Sequence, residues 1–237
     1  MQRYLRNIFA GSDPQGDVES VRRLVQEASD ADADGVFLVG GLKKTGDRPH
    51  VIGEILKALA ASRLPSFYIP GPEDAPMSDY LQNAAHFEVI YPNLHGVHGT
   101  FAFAPGQVIV AGLGGYVEDQ AHYVREEISH IGYPGPELEY RLKFLREMRD
   151  HPKIFLFSHS PAHKGRSEKG SEAIAEVIKT YNPQLVFVGG RRQDSGMLAN
   201  SFVIYLGSLI EGQFSSVNFV SFAVEHRQFK PPVDIAA

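Results

Sequence analysis

Five short polar stretches hold most of the residues in this chain that can do chemistry. They are Gly11-Ser12-Asp13-Pro14-Gln15-Gly16-Asp17, Gly40-Gly41-Leu42-Lys43-Lys44, Gly71-Pro72-Glu73-Asp74, Ser158-His159-Ser160-Pro161-Ala162-His163 and Gly189-Gly190-Arg191-Arg192-Gln193. Asp13, Gln15, Glu73 and Asp74 are hard oxygen donors of the kind that hold one Mg²⁺, Mn²⁺ or Ca²⁺ ion. His159 and His163 are the natural general acids or bases beside such an ion. Lys43, Lys164, Arg191 and Arg192 supply positive charge for an anion, with Arg192 suited to grip a phosphate through two N–H groups. Helix N-termini after Gly11–Asp17 and Gly40–Lys44 would add backbone N–H donors to the same anion.

Other polar groupings carry less. Gly112-Leu113-Gly114-Gly115 follows an apolar run but no helical pattern follows it, so it is a poor dinucleotide fingerprint. His95 and His98 have a metal-like spacing without partners nearby in sequence. Ser158 and Ser160 lack the G-x-S-x-G setting of a nucleophilic serine. The chain has no cysteine, which removes thiolate metal sites, disulfides and cysteine nucleophiles.

Something must bring the five stretches together, and the pattern around them says what. Tyr4–Ala10, Gly35–Val39, Ser66–Ile69, Lys153–Phe157 and Gln184–Val188 read as strands, and each runs into one of the five loops. Over Val18–Asp30 the residues Val18, Val21, Leu24, Val25 and Ala28 share one helical face, with Asp17 as the N-cap. Ile52–Ser62, Glu137–Arg149 and Ser171–Tyr181 also read as helices, and a further helix follows the Gly71–Asp74 loop. Phe101–Gly112 reads as a hairpin turning at Pro105-Gly106, and Leu113–Pro136 as a long Gly/Pro-rich loop. Ser201–Leu206, Ser215–Val224 and Glu225–Phe229 alternate as a closing meander.

Strands separated by helices pair in parallel through right-handed crossovers. The meander predicts a second, antiparallel-leaning sheet. Two sheets bury their inner faces on each other and leave helices outside. The expected fold class is therefore α/β, as one domain over residues 1–237. Ligands of such sheets bind beyond the carboxyl ends of the strands, which puts the five loops around one pocket.

Composition sets outer bounds. The 237 residues are 43% hydrophobic and 22% charged, a balance that suits a folded globular chain. The net charge of −5 argues against a surface that wraps nucleic acid. No run of about 18 apolar residues offers a membrane span, and Met1–Ala10 lacks a signal-peptide core, so the expected location is cytoplasmic. Locally the charge reverses: Gly40–His50, Ser158–Gly170 and Gly189–Ser195 together hold eight basic residues against three acidic ones.

The order and spacing of the loops resemble the calcineurin-like metallophosphoesterase superfamily, whose pattern is D-x-H, G-D-x-x-D, G-N-H-[ED], a histidine loop, then G-H-x-H. Gly11–Ser20 looks like the first motif, Asp32–Leu42 the second and Tyr68–Asp74 the third, and the resemblance runs from about Leu5 to Leu209. The G-P-x-D-A-P and P-x-H-K-G stretches (Gly71–Pro76 and Pro161–Gly165) are similar to those of a small divergent prokaryotic branch. The resemblance implies a four-layer sandwich of two mixed sheets flanked by helices. By position it makes Asp13 and His159 the two surviving metal-ligand residues. Gln15 stands in place of a histidine ligand, Gly41 of the aspartate that bridges two metals, and Pro72 of an asparagine ligand. Glu73 replaces the histidine that assists the leaving group, while Gly190 and Arg192 replace the last two histidines.

Two divalent ions about 3.75 Å apart repel by roughly 18 kcal/mol at an effective dielectric of about 20, and a bridging carboxylate normally offsets this. With Gly41 at that position the binuclear centre is not expected. The leading expectation is a degenerate phosphoesterase fold that binds a phosphorylated or other anionic small molecule. An active phosphoesterase with a remodelled one-metal site is the alternative. A protein–protein scaffold, using Tyr116, Tyr123 and Tyr133 of the long loop, is the third. Reinstalling Gly41→Asp, Pro72→Asn, Gly190→His and Arg192→His is expected to return the family's ligand set.

Overall fold

The computed structural model describes residues 4–119, 129–163 and 170–229. The first half runs β1 (Asn7–Ser12), α1 (Val18–Asp30), β2 (Gly35–Val39), α2 (His50–Ala60), β3 (Ser66–Ile69), α3 (Met77–Ile90) and β4 (Leu94–Gly96). The second runs β5 (Phe101–Ala104), β6 (Val108–Leu113), β7 (Tyr116–Glu118), β8 (Gly132–Pro134), α4 (Gly135–Arg141), β9 (Lys153–Phe157), α5 (Glu172–Tyr181) and β10 (Leu185–Val188). It ends with β11 (Gln193–Leu198), β12 (Ser201–Leu206), β13 (Gln213–Asn218) and β14 (Val224–Gln228).

Two six-stranded mixed sheets face each other, in the orders β14-β13-β1-β2-β3-β4 and β11-β12-β10-β9-β6-β5. Strict alternation in the strands builds the layers. In β2, Phe37 and Val39 point to the shared core with Phe67, Ile154, Leu156 and Phe187, while Val36 and Leu38 point out to α1 and α2. Phe155 and Phe157 of β9 likewise point out, to α4 and α5. Phe37 meets its sheet neighbour Phe67 edge-on at 5.1 Å and reaches across to Phe187 of the other sheet at 5.3 Å. Complete burial of each such ring contributes about 1.5–3 kcal/mol. The result is the expected four-layer α/β sandwich of two mixed β-sheets flanked by helices.

The closing strands do not form a sheet of their own. β13 pairs antiparallel with β1, but β12 pairs parallel with β10. Each half of the supposed meander thus finishes a different sheet, because each sheet needs a partner for an exposed edge next to its parallel strands. The long loop also holds a short parallel pair, β7 with β8. Helix Glu137–Arg149 divides into α4 and a 3-10 turn over Lys143–Glu147.

Caps place the loops at the sheet edge. The Asp17 carboxylate accepts from Glu19 N and Ser20 N at 3.0 and 3.3 Å, starting α1 directly after the first loop. Ser171 Oγ accepts from Ile174 N at 3.3 Å, and Asp119 accepts from Glu172 N and Ala173 N, so α5 starts beside β7.

Candidate functional site

All five loops border one cleft of about 530 Å³ at the carboxyl ends of the parallel strands. Its walls include Asp13, Gln15, Gly41, Lys43, Glu73, Ser158, Gly190 and Arg191. Pro72 lines it as well, and so do Tyr116, His130, Ser208, Ile210 and Glu211, which the sequence does not place in a pocket. A signal for Ser208 and Glu211 existed. They follow β12, and once β12 is parallel to β10 its carboxyl end is one more loop at the same edge.

The floor is built by backbone packing. Asp13 and Gln15 both have left-handed backbones, with φ of 50° and 49°, a conformation that costs of order 1 kcal/mol or more for a residue with a side chain. Neighbouring strands hold it in place: Asp13 N donates to Gly40 O at 3.2 Å, Gln15 N to Gly41 O at 2.7 Å and Gly16 N to Leu42 O at 3.0 Å. A Cβ at Gly41 would stand 2.3 Å from Asp13 Oδ1, and one at Gly71 would stand 2.2 Å from Gly41 N. The loops after β1, β2 and β3 therefore meet backbone to backbone.

Asp74 sits under the floor, fully buried. Its carboxylate accepts from Leu42 N (3.0 Å), Lys43 N (2.8 Å) and Gly71 N (2.6 Å). These contacts correct one expectation. Four of the five backbone N–H groups of Gly40–Lys44 are not an open seat for an anion: Gly40 N is held by Ile69 O, Leu42 and Lys43 by Asp74, and Lys44 by Asp47. Two N–H groups of the first turn of α1, Glu19 and Ser20, are taken by Asp17 in the same way. An anion in this cleft therefore finds most of these donors taken, and the cationic side chains carry more of the contact. Lys43 is buried, with its ammonium donating to Glu73 O at 3.3 Å, and Arg191 is exposed on the rim.

Burial pushes the Asp13 carboxyl up to about 7; Asp74 and Glu73 add to the rise, against the Ser12 hydroxyl (3.0 Å) and the Gly190 N–H. The folded state thus keeps a proton that the unfolded chain releases near 3.8. Stability is highest below that value and is lost as pH rises towards 7, by roughly 4 kcal/mol if this group acts alone. Asp13→Asn removes the charge. It should raise the thermal midpoint at pH 8 by about 10 °C and leave the midpoint at pH 4 nearly unchanged. Equal shifts at both pH values would rule out this account.

The structure does not bring every candidate residue to the cleft. His159 lies behind Tyr116, with ring centroids 4.9 Å apart, and its Nδ1 accepts from Val117 N at 3.1 Å. That hydrogen bond puts the neutral ring's proton on Nε2 and leaves no lone pair for a metal. Burial lowers its pKa despite the Val117 contact and Asp119 nearby, so the neutral ring is the stable form. His163 faces β12, its Nδ1 3.5 Å from the Tyr205 hydroxyl. Arg192 is exposed and does not border the cleft. Lys164 falls outside the described residues, as does Tyr123. Tyr133 is buried, its hydroxyl 2.9 Å from His98 Nε2, and so offers no surface for a partner.

The residues present do not fit a binuclear metal centre. Gly41 has no room for the bridging carboxylate, and the Pro72 side chain offers no donor atom. Among the described residues no three histidines or carboxylates lie close enough together to hold a metal ion.

Fold and motif positions together define a metallophosphoesterase-type protein, and the comparisons agree. Residues 47–229 match the family described as metallophosphoesterase, calcineurin superfamily, and the chain belongs to that family. It is similar to TT1561 of Thermus thermophilus, at 40% identity and a TM-score of 0.90 over 94% of this chain and 99% of that one. A dimetal phosphatase from Danio rerio shares the fold at 11% identity and a TM-score of 0.63, covering 96% of this chain and all of the other. GAP50, the anchor in the inner membrane complex of Plasmodium, does so at 10% identity and 0.55, over 95% and 89%. No curated protein sequence matches. Family members generally work with divalent metals.

Proposed function

We propose that this protein binds a phosphorylated or other anionic small molecule in the Asp13 cleft, with little or no hydrolysis by a binuclear metal centre. The contact between Gly41 and Asp13 carries the reading, because Asp13, side chain and backbone, fills the place a bridging carboxylate needs. Arg191 and Lys43 border the same cleft and supply the positive charge. Arg191 can pair two N–H groups with two phosphate oxygens. Asp13, which keeps its proton up to about 7, can donate an O–H to a third. Glu73 and Glu211 on the rim favour a ligand that also carries hydroxyl or amine donors.

The competing reading is a phosphoesterase with one divalent ion, for which Asp13, Gln15 and Glu73 on the cleft wall are the available oxygen donors, although among the described residues no three histidines or carboxylates are grouped closely enough to hold it. We also place the protein in the cytoplasm and as no wrapper of nucleic acid. No described helix is long and apolar enough to cross a membrane.

Thermal unfolding with inorganic phosphate and a panel of sugar phosphates and nucleotides tests the proposal. At about a hundredfold excess over Kd a ligand stabilises by about 2.7 kcal/mol, a shift of several degrees. Arg191→Ala should weaken the binding about tenfold while leaving the unliganded midpoint unchanged. A flat response across the panel would sink the binding reading. Stoichiometric Mg²⁺, Mn²⁺ or Ca²⁺ with turnover of an aryl phosphodiester would establish the one-metal enzyme instead.

A further inference from the structure

Tyr116 is half exposed, yet three consecutive residues around it are pinned. Gly115 N donates to Ser158 Oγ at 2.7 Å, and the Ser158 hydroxyl donates back to Gly115 O at 3.0 Å. Tyr116 N donates to Ile131 O at 2.9 Å, within the β7–β8 pair. Val117 N donates to His159 Nδ1 at 3.1 Å, and the His159 ring stands 4.9 Å behind the Tyr116 ring. Two of these pins come from one dipeptide, Ser158-His159, at the end of β9.

With its backbone held at three consecutive residues, its ring backed by His159 and 50% of the residue still exposed, Tyr116 is a preorganised contact surface. It borders the same cleft as Lys43 and Arg191. The cleft, at about 530 Å³, lies within the range of small-molecule sites. One part of its wall is aromatic and another is cationic, so the two together select a ligand with both a flat ring and an anionic group.

We infer that the cleft takes a phosphorylated ligand carrying a flat unsaturated ring, a nucleoside monophosphate in class, with the ring stacked on Tyr116 and the phosphate towards Arg191 and Lys43. This rests on the anion-binding reading above. Tyr116 is the specificity-determining residue, and Ser158 and His159 are positioning residues that hold it. A base stacked on an aromatic side chain typically gains a factor of about ten or more in affinity.

The test compares AMP and UMP with ribose 5-phosphate by titration calorimetry, on the wild-type chain and on Tyr116→Ala and Tyr116→Phe. Both nucleotides should bind the wild type about tenfold more tightly than ribose 5-phosphate. Tyr116→Ala should abolish that preference with ribose 5-phosphate unchanged, and Tyr116→Phe should keep it. If ribose 5-phosphate binds as well as either nucleotide, or Tyr116→Ala weakens all three alike, the inference is overturned while anion binding stands. If none of the three binds and inorganic phosphate does not either, anion binding itself fails and the inference falls with it.

Discussion

Gly41→Asp is expected to destabilise the protein by about 4 kcal/mol or more and to create no metal site. Three costs combine at this position. The backbone is left-handed, with φ of +57°, which alone costs an L-residue about 1–2 kcal/mol. The added Cβ would lie 2.3 Å from Asp13 Oδ1 and 2.8 Å from Asp13 Cα. Relief would mean moving backbone that is tied down by the Asp13 N–Gly40 O and Gln15 N–Gly41 O bonds, and overpacking of that kind costs about 1–3 kcal/mol. The new carboxylate would then press against one whose proton is already held up to about 7. Gly41→Ala separates the steric part and should still lose about 3 kcal/mol in urea unfolding. Gly190→His is the control. Nothing lies within 4 Å of a Cβ there, so its stability should stay within about 0.5 kcal/mol of wild type. A folded Gly41→Asp protein with the wild-type midpoint would refute the geometry, and the four-residue reinstallation suggested by motif position should fail at its first substitution.

Why the sequence reveals the fold so well and the site only in part follows from where the signals lie. Val18–Asp30, Gly35–Val39, Ser66–Ile69, Lys153–Phe157 and Ser201–Leu206 have the same bounds in sequence and structure, because burial on one or both faces writes a period into them. β11 carries no strand signal, since its Gln193–Leu198 run lies at a sheet edge and exposes residues on both faces. Leu138, Leu142 and Leu145 recur at a spacing that a helix and a 3-10 turn both satisfy, which hides the break after α4. α3 leaves Leu81, Val89 and Ile90 in solvent, so its apolar residues mark no single face and its pattern sets no bounds. The five loops are legible because a strand end followed by Gly or Pro is a local feature. Which N–H groups remain free is not local. Asp74 fills those of Leu42 and Lys43 from 32 and 31 residues away, and the pinning of Tyr116 by the Ser158-His159 dipeptide spans 42 and 43.

Asp74→Ala should be nearly as damaging as the change at Gly41, for a different reason. Among the described residues its carboxylate is the hydrogen-bond partner of Leu42 N, Lys43 N and Gly71 N together, and it lies fully out of solvent. Burial pushes its carboxyl up to about 6, and the three N–H donors with Lys43 pull it back, so it remains mostly ionised at neutral pH. Removing it strands three donors, each worth about 1–3 kcal/mol when unsatisfied, and also takes away the anion facing the buried Lys43 ammonium. The substitution also relieves the strain of burying a charge, so the net loss at pH 7 should be about 3–5 kcal/mol rather than the full sum. Asp74→Asn keeps one acceptor oxygen but turns an NH₂ towards backbone N–H donors, and should recover less than half of the loss. Urea unfolding gives the totals, and amide exchange at Leu42, Lys43 and Gly71 tells where they arise. Faster exchange at those three amides, with α2 still protected, is the expected result. A loss below about 1 kcal/mol with unchanged exchange would show that Asp74 does not hold the β2 and β3 loops together.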